Sequence, residues 1–321
     1  MTDKKNHGGF AFPRPIGEAR VGDNRIEFND PQKGMTLRDY FAAQALTNLN
    51  IHEDFSKVAE IAYKVADAML EERKTMKPCL IEATTIQDAY FQMLYKVMDI
   101  GVKYEITEGS MRGDFRYEFP YAAGFINYPH VKPLAPIMPN GIAPTTTDEN
   151  IDDYFANYIM DPNLTPGEEY RYSQWINGEF ENPYKFDRVH QVGCFESQLR
   201  WCINHLEKKG YGNAHCYITV GDPQVNFRYD APYKDETERR TSPCLRGIDI
   251  KVKEGKVVLG VVFRSWDLYG GFPQNMGGFA LLNQYIANEL GIEPGPLTYA
   301  SCGLHIYGSQ VKPVLAAIHK E

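Results

Sequence analysis

The spacing of apolar residues predicts a helical hairpin near the start of the chain. Apolar side chains recur at helical intervals over residues 37–49 and again over 55–73, so each segment has one apolar face. Thr36 stands where the first helix needs an N-cap, and Asp39 occupies the capping-box position. A hairpin of this size buries too little apolar surface to be stable alone, so we expect it to pack on another part of the protein.

A break in composition at Met76-Lys77-Pro78 separates a polar arm and helical hairpin, residues 1–75, from a larger domain, residues 76–321. In the larger segment, the pattern predicts helices over 85–98, 151–160, 187–208 and 277–290, the last ending at the C-cap glycine Gly291. It predicts strands over 117–128, 214–220, 246–253 and 256–263. Because helices and strands do not alternate regularly, an α+β fold is favoured over a doubly wound sheet.

Composition narrows the class of protein. The chain has 321 residues, of which 43% are hydrophobic, enough for one full core with an extension. A net charge of −8 argues against a protein that coats nucleic acid, but local arginines can still hold one small anion. No run approaches the length of a membrane span, so no membrane partner is expected.

The cysteines favour a reducing compartment. None of the 6 forms a Cys-x-x-Cys pair, so no zinc site is predicted and no other metal is expected. They are too sparse for a disulfide scaffold, and the N-terminus does not read as a secretory leader. We therefore expect reduced thiols and a cytoplasmic protein.

The side chains best suited to catalysis lie in residues 242–310. Cys244 follows a proline, and the two predicted strands that come next should return the chain so that Arg264 and Ser265 lie beside it. A guanidinium close to a thiol favours the thiolate, the form that attacks an electron-poor carbon. Arg264 and Ser265 together could also hold a phosphate.

Three further positions add to this picture. His305 and Tyr307 are two residues apart, so on a strand they face the same way. Asn275 is bracketed by pairs of glycines, which suggests a backbone that approaches a ligand closely. Each feature alone has an ordinary structural explanation, such as a buried cysteine or a packed strand. Their concentration in one segment indicates a functional site.

This segment resembles the thymidylate synthase and deoxycytidylate hydroxymethylase superfamily. The resemblance rests on a Pro-Cys nucleophile, an Arg-Ser-x-Asp strand end, a following Asn or Asp, and a His-x-Tyr strand. Here these are Pro243-Cys244, Arg264-Ser265-x-Asp267, Asn275 and His305-x-Tyr307, with Tyr172-Ser173-Gln174-Trp175 similar to a segment upstream. The resemblance implies a thymidylate synthase-like twisted sheet layered with helices, preceded here by the N-terminal helical hairpin, and a homodimer formed through the sheet.

The resemblance also implies a role for each matching residue. Cys244 would add to C6 of a pyrimidine nucleoside monophosphate so that C5 can attack the one-carbon unit of 5,10-methylenetetrahydrofolate. The remaining assignments are Arg264 and Ser265 for the 5′-phosphate, Asp267 for the folate, Asn275 for the N3/O4 edge of the base, His305 and Tyr307 for the sugar hydroxyl, and Tyr172 for the proton relay near C5. The general-base glutamate is assigned to Glu118, with a surface glutamate as the alternative.

Several positions depart from the family pattern. The His that usually follows the cysteine is Leu245, and the usual Arg-Arg phosphate pair falls at Ala214-His215. Arg239-Arg240 and Arg246 are candidate replacements. The long segment that covers the folate in larger members has no counterpart after Gln310, which favours water as the final reactant and hence a hydroxymethyl product.

These observations favour a dUMP hydroxymethylase, because an Asn amide suits uracil. Three alternatives remain open: a thymidylate synthase acting on dUMP, a dCMP hydroxymethylase with a turned amide, and a nucleotide-binding homologue without catalysis. A related non-catalytic reading is an interaction module whose active element is the N-terminal hairpin, and the lost Arg-Arg pair is the best argument for a protein without catalysis.

Overall fold

The computed structural model describes residues 20–22, 25–27, 35–47, 55–73, 77–109, 111–187, 192–229 and 242–319. The chain divides into two compact units, Met1–Thr75 and Met76–Glu321. Their assignment as an arm with a hairpin and as a catalytic domain stays a prediction. None of the helices in these described segments is long and apolar enough to cross a membrane.

The first unit contains a small strand pair and two helices. Strands β1 (Arg20–Gly22) and β2 (Arg25–Glu27) pair antiparallel, and the helices are α1 (Leu37–Leu46) and α2 (Phe55–Arg73). Thr36 caps α1 as expected, because its Oγ1 accepts a hydrogen bond from the backbone N–H of Asp39 at 3.1 Å. The two helices pack through a minimal core of three buried alanines, Ala42, Ala62 and Ala66.

The second unit combines six helices with twelve strands in its described residues. The helices are α3 (Ile86–Ile100), α4 (Asp148–Tyr154), α5 (Ser173–Ile176), α6 (Gln198–Lys209), α7 (Gly271–Leu290) and α8 (Val311–Ala317). The strands are β3 (Cys79–Ala83), β4 (Val102–Glu105), β5 (Phe115–Glu118), β6 (Ala122–Ile126), β7 (Glu179–Asp187), β8 (Val192–Ser197), β9 (Tyr217–Thr219), β10 (Leu245–Lys253), β11 (Lys256–Phe263), β12 (Trp266–Asp267), β13 (Glu293–Ser301) and β14 (Leu304–Tyr307).

Most strands belong to two sheets. A six-stranded mixed sheet has the order β3-β6-β13-β11-β10-β9, and a four-stranded sheet has the order β12-β14-β5-β4. Helices α3, α6 and α7 pack against the larger sheet, whose core-facing residues alternate with half-buried or exposed ones along β10 and β11. The mixture of segregated helices and mixed sheets confirms the α+β prediction.

The largest differences from the predicted elements concern three segments. Residues 192–197 form strand β8, not the start of a helix, because they pair with β7 and Ser197 then caps α6 by accepting from the N–H of Arg200 at 3.1 Å. The strand predicted over 117–128 is two strands in different sheets, separated at Pro120, which has no N–H to offer a ladder. Helix α7 begins at Gly271, since a proline is tolerated in its first turn, and ends at the expected Gly291 with φ of 65°.

Candidate active site

Cys244 lies at the start of β10, where Arg264 fixes its backbone. The antiparallel register of β10 and β11 pairs Leu245 with Phe263, so Arg264 comes opposite Cys244, and its backbone N–H donates to the Cys244 carbonyl at 2.9 Å. The guanidinium of Arg264 reaches back to the two residues before the cysteine. Its Nη2 donates to the carbonyl of Ser242 at 2.7 Å and its Nε to that of Pro243 at 3.1 Å. The loop that presents the thiol is therefore held by three hydrogen bonds from one residue.

The electrostatic setting of Cys244 contains two opposing influences. The side chain is half-buried, and burial raises the pKa of its thiol. Arg264 opposes this most strongly, followed by a hydrogen bond with the Tyr170 hydroxyl and the charge of Arg246. The net direction is upward, so the guanidinium beside the thiol weakens the effect of burial without cancelling it. Cys244 in the free protein is a protonated thiol near neutral pH.

Four tyrosines surround the cysteine, and sequence reasoning found only Tyr172 among them. The rings of Tyr154 and Tyr158 stack at 5.2 Å, Tyr158 meets Tyr172 edge-on at 5.0 Å, and Tyr170 lies 6.0 Å from Tyr172. The negative charge of a Cys244 thiolate raises the pKa of all four hydroxyls, although burial is the larger cause for each. They form a cluster of neutral hydroxyl groups beside the sulfur.

A buried arginine, Arg171, separates Tyr170 from Tyr172 and anchors the segment that carries them. Arg171 donates from Nε to Glu168 at 2.8 Å and from Nη1 to Asp161 at 3.1 Å. It also donates to the carbonyl oxygen of Asn157 at 2.9 Å. These bonds connect residues 168–171 to residues 157–161. The alternation of Tyr170 and Tyr172 around a charged residue was the one signal in the sequence that could have suggested both.

Asn275, in the first turns of α7, makes two specific hydrogen bonds. Its Oδ1 accepts from the indole Nε1–H of Trp266 at 2.8 Å, and its Nδ2 donates to the hydroxyl of Tyr154 at 2.8 Å. The sequence suggested that the glycines that follow it, Gly277 and Gly278, lie against a ligand. In the structure they lie against other side chains of the protein. A methyl group on Gly278 would lie 2.7 Å from Cδ1 of Tyr154, so this glycine allows the tyrosine to pack closely enough to reach Asn275.

Asp267, His305 and Glu118 form a row across the four-stranded sheet. The register pairs Asp267 with His305 and His305 with Glu118, so the three side chains share one face. Glu118 forms an ion pair with Arg116, whose Nε lies 3.1 Å from Oε2, and burial raises the pKa of the Glu118 carboxyl. Tyr307 lies on the same strand as His305; burial is the main cause that raises the pKa of its hydroxyl, and the charges of Asp267 and Cys244 add to it.

The hydrogen bonds of His305 identify its tautomer. Nδ1 lies 2.8 Å from the carbonyl oxygen of Gly303, which can only accept, so Nδ1 carries the proton and Nε2 is an acceptor. Burial lowers the pKa of the ring to about 4, which keeps it neutral at pH 7. Nε2 is buried and finds no hydrogen-bond donor in the described part of the chain. A ligand hydroxyl would satisfy it.

The positions that depart from the family pattern fall in different surroundings. Leu245 is fully buried in the core, whereas Ala214 and His215 are exposed, with His215 Nδ1 3.3 Å from Nε2 of His205. Arg246 is half-buried, and its Nη1 is shielded from solvent without a hydrogen-bond partner among the residues described. Arg239-Arg240 lie outside the described residues.

The remaining predicted residue, Ser265, lies between Arg264, which holds the Cys244 loop, and the row that contains Asp267. Ser265 is half-buried, and its Cα would lie 3.1 Å from a methyl group placed on Gly303. The carbonyl oxygen of Gly303 also accepts a hydrogen bond from the backbone N–H of Trp266 at 2.8 Å. The segment that carries Arg264, Ser265 and Asp267 therefore runs directly beside the strand that carries His305. The folding of the chain places the nucleophile loop, Asn275 and the Asp267 row in one region.

Comparisons with known proteins bear on the same region. The family model described as "Thymidylate synthase" matches residues 224–321. A protein of Methanosarcina barkeri is 38% identical over 233 residues, which cover 71% of this chain and 89% of that protein. A protein of Methanosarcina acetivorans is 39% identical over 143 residues, 44% of this chain and 60% of the relative. Both carry the name "Putative thymidylate synthase".

A solved structure supports the fold. Thermostable thymidylate synthase A from Bacillus subtilis superposes with a TM-score of 0.53 at 16% sequence identity, covering 74% of this chain and 85% of that one. This confirms a thymidylate synthase-like α+β fold for most of the chain. The Methanosarcina barkeri relative is matched over 89% of its length at 38% identity. The chain therefore belongs to the thymidylate synthase family.

Proposed function

We propose that this protein is an enzyme that transfers a one-carbon unit to C5 of dUMP, with 5,10-methylenetetrahydrofolate as donor and 5-hydroxymethyl-dUMP as product. The observation that carries the proposal is the anchoring of the Cys244 loop by Arg264, within the region that also holds Asn275 and His305. This arrangement suits a thiol that adds to a bound ring, because the nucleophile and the groups that hold the ligand move as one unit.

Each residue near the thiol has a task that its surroundings support. Cys244 adds to C6 of the pyrimidine, which makes C5 nucleophilic. Arg264 and Arg246, the two guanidiniums whose charges act on Cys244, hold the phosphate together with Ser265, and the shielded Nη1 of Arg246 needs such an anion. A phosphate bound there would weaken the stabilisation of the Cys244 thiolate by these two guanidiniums. The thiol therefore loses its proton only as the pyrimidine ring closes over the sulfur.

The groups farther from the thiol recognise the rest of the nucleotide and move protons. His305 Nε2 accepts a hydrogen bond from a sugar hydroxyl, and Tyr307 lies beside it with ring centroids 4.7 Å apart. Asn275 reads the N3/O4 edge of the base. Tyr172 belongs to the hydroxyl cluster through which the C5 proton leaves. Glu118 acts as the general base, for which its raised pKa is suited.

The residues present fit a reduced folate at Asp267. This half-buried carboxylate accepts hydrogen bonds from the backbone N–H of Tyr269 at 3.0 Å and from Gln310 Nε2 at 3.2 Å, and burial raises its pKa. A fixed acceptor of this kind suits the N–H groups of a pterin ring. The folate, when bound, supplies a one-carbon unit at the oxidation level of formaldehyde.

The tyrosine cluster favours the hydroxymethyl product over the methyl one. A hydride ending requires a site from which water is excluded. The Tyr170 hydroxyl bonds Cys244, the rings of Tyr154, Tyr158 and Tyr172 pack in the same cluster, and hydroxyl groups can hold and orient a water molecule. The thymidylate synthase ending, in which the folate delivers hydride to the same dUMP, is the second candidate, supported by the names of the relatives.

The test is a product analysis with the whole protein. It is incubated with dUMP, dCMP, UMP or CMP and 5,10-methylenetetrahydrofolate, and the nucleotides are analysed by mass spectrometry. We expect dUMP alone to gain the elements CH2O. A gain of CH2 together with dihydrofolate would establish the synthase ending instead. If no nucleotide is modified and none loses tritium from C5, while dUMP still binds, the protein is a nucleotide-binding homologue and the enzymatic proposal is overturned.

We also propose that a second copy of the chain packs on the outer face of the six-stranded sheet. The register places Leu80, Ala123, Ala300 and Val262 in one row on this face, opposite to the helices. The row is apolar, and its end members are exposed, Leu80 by 62% and Val262 by 40%. Such a surface is typical of a site where protein packs on protein.

Replacing Val262 with glutamate is expected to convert a homodimer into a monomer, because two buried charges would face each other across the interface. Light scattering coupled to size exclusion measures the mass, and circular dichroism checks the fold. Leu164→Glu is the matched control, since Leu164 is 41% exposed and belongs to a loop and not to the six-stranded sheet. A wild-type protein that is monomeric at micromolar concentration would contradict the proposed interface.

A further inference from the structure

The amide of Asn275 is held in one orientation by the chemistry of its partners. An amide carries an oxygen at one end and an NH2 group at the other, and the two ends are nearly equal in shape. The indole Nε1–H of Trp266 can only donate, so the end that meets it at 2.8 Å must be Oδ1. The NH2 group is then directed to the hydroxyl of Tyr154, also at 2.8 Å. The orientation follows from chemistry and not from a choice between similar atoms.

Only one of the two partners imposes this orientation. A tyrosine hydroxyl can donate or accept, so Tyr154 could bond either end of the amide by rotating its O–H. Trp266 has no such freedom. Its ring is 2% exposed, stacks on Phe263 with centroids 3.9 Å apart and planes 6° from parallel, and contacts Phe272 at 4.9 Å. The indole N–H is therefore a rigid donor at a fixed place.

The fixed orientation has a consequence for the base that Asn275 reads. Each of the two bonds uses one donor or one acceptor position of the amide, which has the capacity for one more of each. Uracil presents an N3–H donor next to the O4 acceptor, whereas cytosine presents an N3 acceptor next to the amino group at C4. The two edges require opposite amide orientations. Turning the amide for the wrong base would bring its NH2 group against the indole N–H and leave two buried donors facing each other.

We infer that Trp266 is a specificity-determining positioning residue, which holds the Asn275 amide so that the site accepts uracil and rejects cytosine. The inference rests on the proposed function, in which Asn275 contacts the base. Trp266 does not act on the base itself. Its effect passes through the single hydrogen bond to Oδ1, so removing the indole N–H should change selectivity more than affinity for the preferred nucleotide.

The test compares Trp266→Phe with Tyr154→Phe. Phenylalanine at 266 keeps an aromatic ring against Phe263 but has no N–H, and phenylalanine at 154 removes the partner that accepts either orientation. Equilibrium binding of dUMP and of dCMP is measured by calorimetry for the wild type and both variants. We expect Trp266→Phe to lower the ratio of dUMP to dCMP affinity by about tenfold or more, whereas Tyr154→Phe keeps the wild-type ratio.

Two outcomes overturn the inference while leaving the proposed function intact. One is a folded Trp266→Phe variant that keeps the wild-type ratio, and the other is a Tyr154→Phe variant that loses it to the same extent. A wild-type protein that binds neither nucleotide overturns the proposed function, and this inference with it. The ratio is the deciding quantity, because a merely structural role for Trp266 would weaken both nucleotides equally.

A second measurement leaves Trp266, Asn275 and Tyr154 unchanged. The chain has 3 tryptophans, so indole 15N labelling gives three resonances, and Trp175→Phe and Trp201→Phe identify the third by elimination. The Trp266 N–H is expected to exchange slowly with solvent in the free protein and to stay protected when dUMP is added. Rapid exchange in either state would show that the amide is not held, and the inference would be wrong.

Discussion

Serine in place of Cys244 is expected to lower the rate of product formation from dUMP by on the order of 10⁴-fold or more. The hydroxyl of serine is almost fully protonated at any usable pH, and it is a much weaker nucleophile toward a ring carbon than a thiolate. Serine is close to cysteine in size, and the hydrogen bonds that Arg264 donates to the carbonyls of Cys244 and Pro243 do not involve the sulfur. Binding of dUMP should therefore change by only a few-fold. Product formation and calorimetric binding are measured on the same preparation.

The matched control for this change is Cys194→Ser. Cys194 is half-buried and free like Cys244, but it lies on strand β8. Its replacement should leave the rate unchanged. If Cys244→Ser retained a rate within tenfold of the wild type, covalent addition by this thiol could not be the mechanism, whatever the product. A loss of dUMP binding in parallel with activity would instead point to a structural role for the cysteine.

The approach of Arg264 to Cys244 could be anticipated to within one residue, because most of it follows from local rules. Two strands were predicted over 246–253 and 256–263, and the turn between them has positive φ at Glu254 and Gly255, as a tight hairpin requires. Equal distances from the turn place Arg264 opposite Leu245, and a bulge between Leu245 and Gly247 shifts the pairing by one residue, so that Arg264 comes opposite Cys244. His305 and Tyr307 lie side by side because side chains two residues apart on a strand share a face.

The surroundings of Asn275 could not be anticipated in the same way. Tyr154 reaches it because the segment that begins with α4 packs on α7 where two glycines leave room. The sequence shows the glycines but not which element fills the space. Sequence reasoning therefore assigned them to a ligand. Glu118 is a similar case, since its position beside His305 depends on a pairing between strands that are far apart in the chain.

A second class of errors came from competition between local pattern and tertiary pairing. Residues 187–197 carry apolar side chains at intervals that suit a helix, but in the described part of this segment the chain pairs with β7 as a strand. Hydrogen bonds to a neighbouring strand satisfy the backbone as well as a helix does, and the sequence does not reveal that neighbour. The helix starts only where Ser197 supplies a cap.

Removal of the Arg264 guanidinium is expected to lower the reactivity of Cys244 about tenfold at pH 8. Burial already raises the pKa of the thiol, and Arg264 is the strongest influence in the opposite direction. The thiolate is the reactive form, so below the pKa its fraction increases about tenfold for each pH unit. In Arg264→Gln the pKa rises further. The rising part of the profile of alkylation rate against pH should therefore shift to higher pH, and the limiting rate at high pH should stay similar.

Two variants separate the charge of Arg264 from its anchoring of the loop. Arg264→Lys keeps a cation but lacks the planar fork that reaches both Ser242 and Pro243. It should restore most of the alkylation profile while KM for dUMP stays raised, because the loop and the phosphate are still poorly held. Arg200→Gln removes an exposed guanidinium that pairs with Glu289 and should leave the profile unchanged. If Arg264→Gln kept the wild-type profile, the guanidinium would not act on the thiol at all, and its role would be limited to holding the loop.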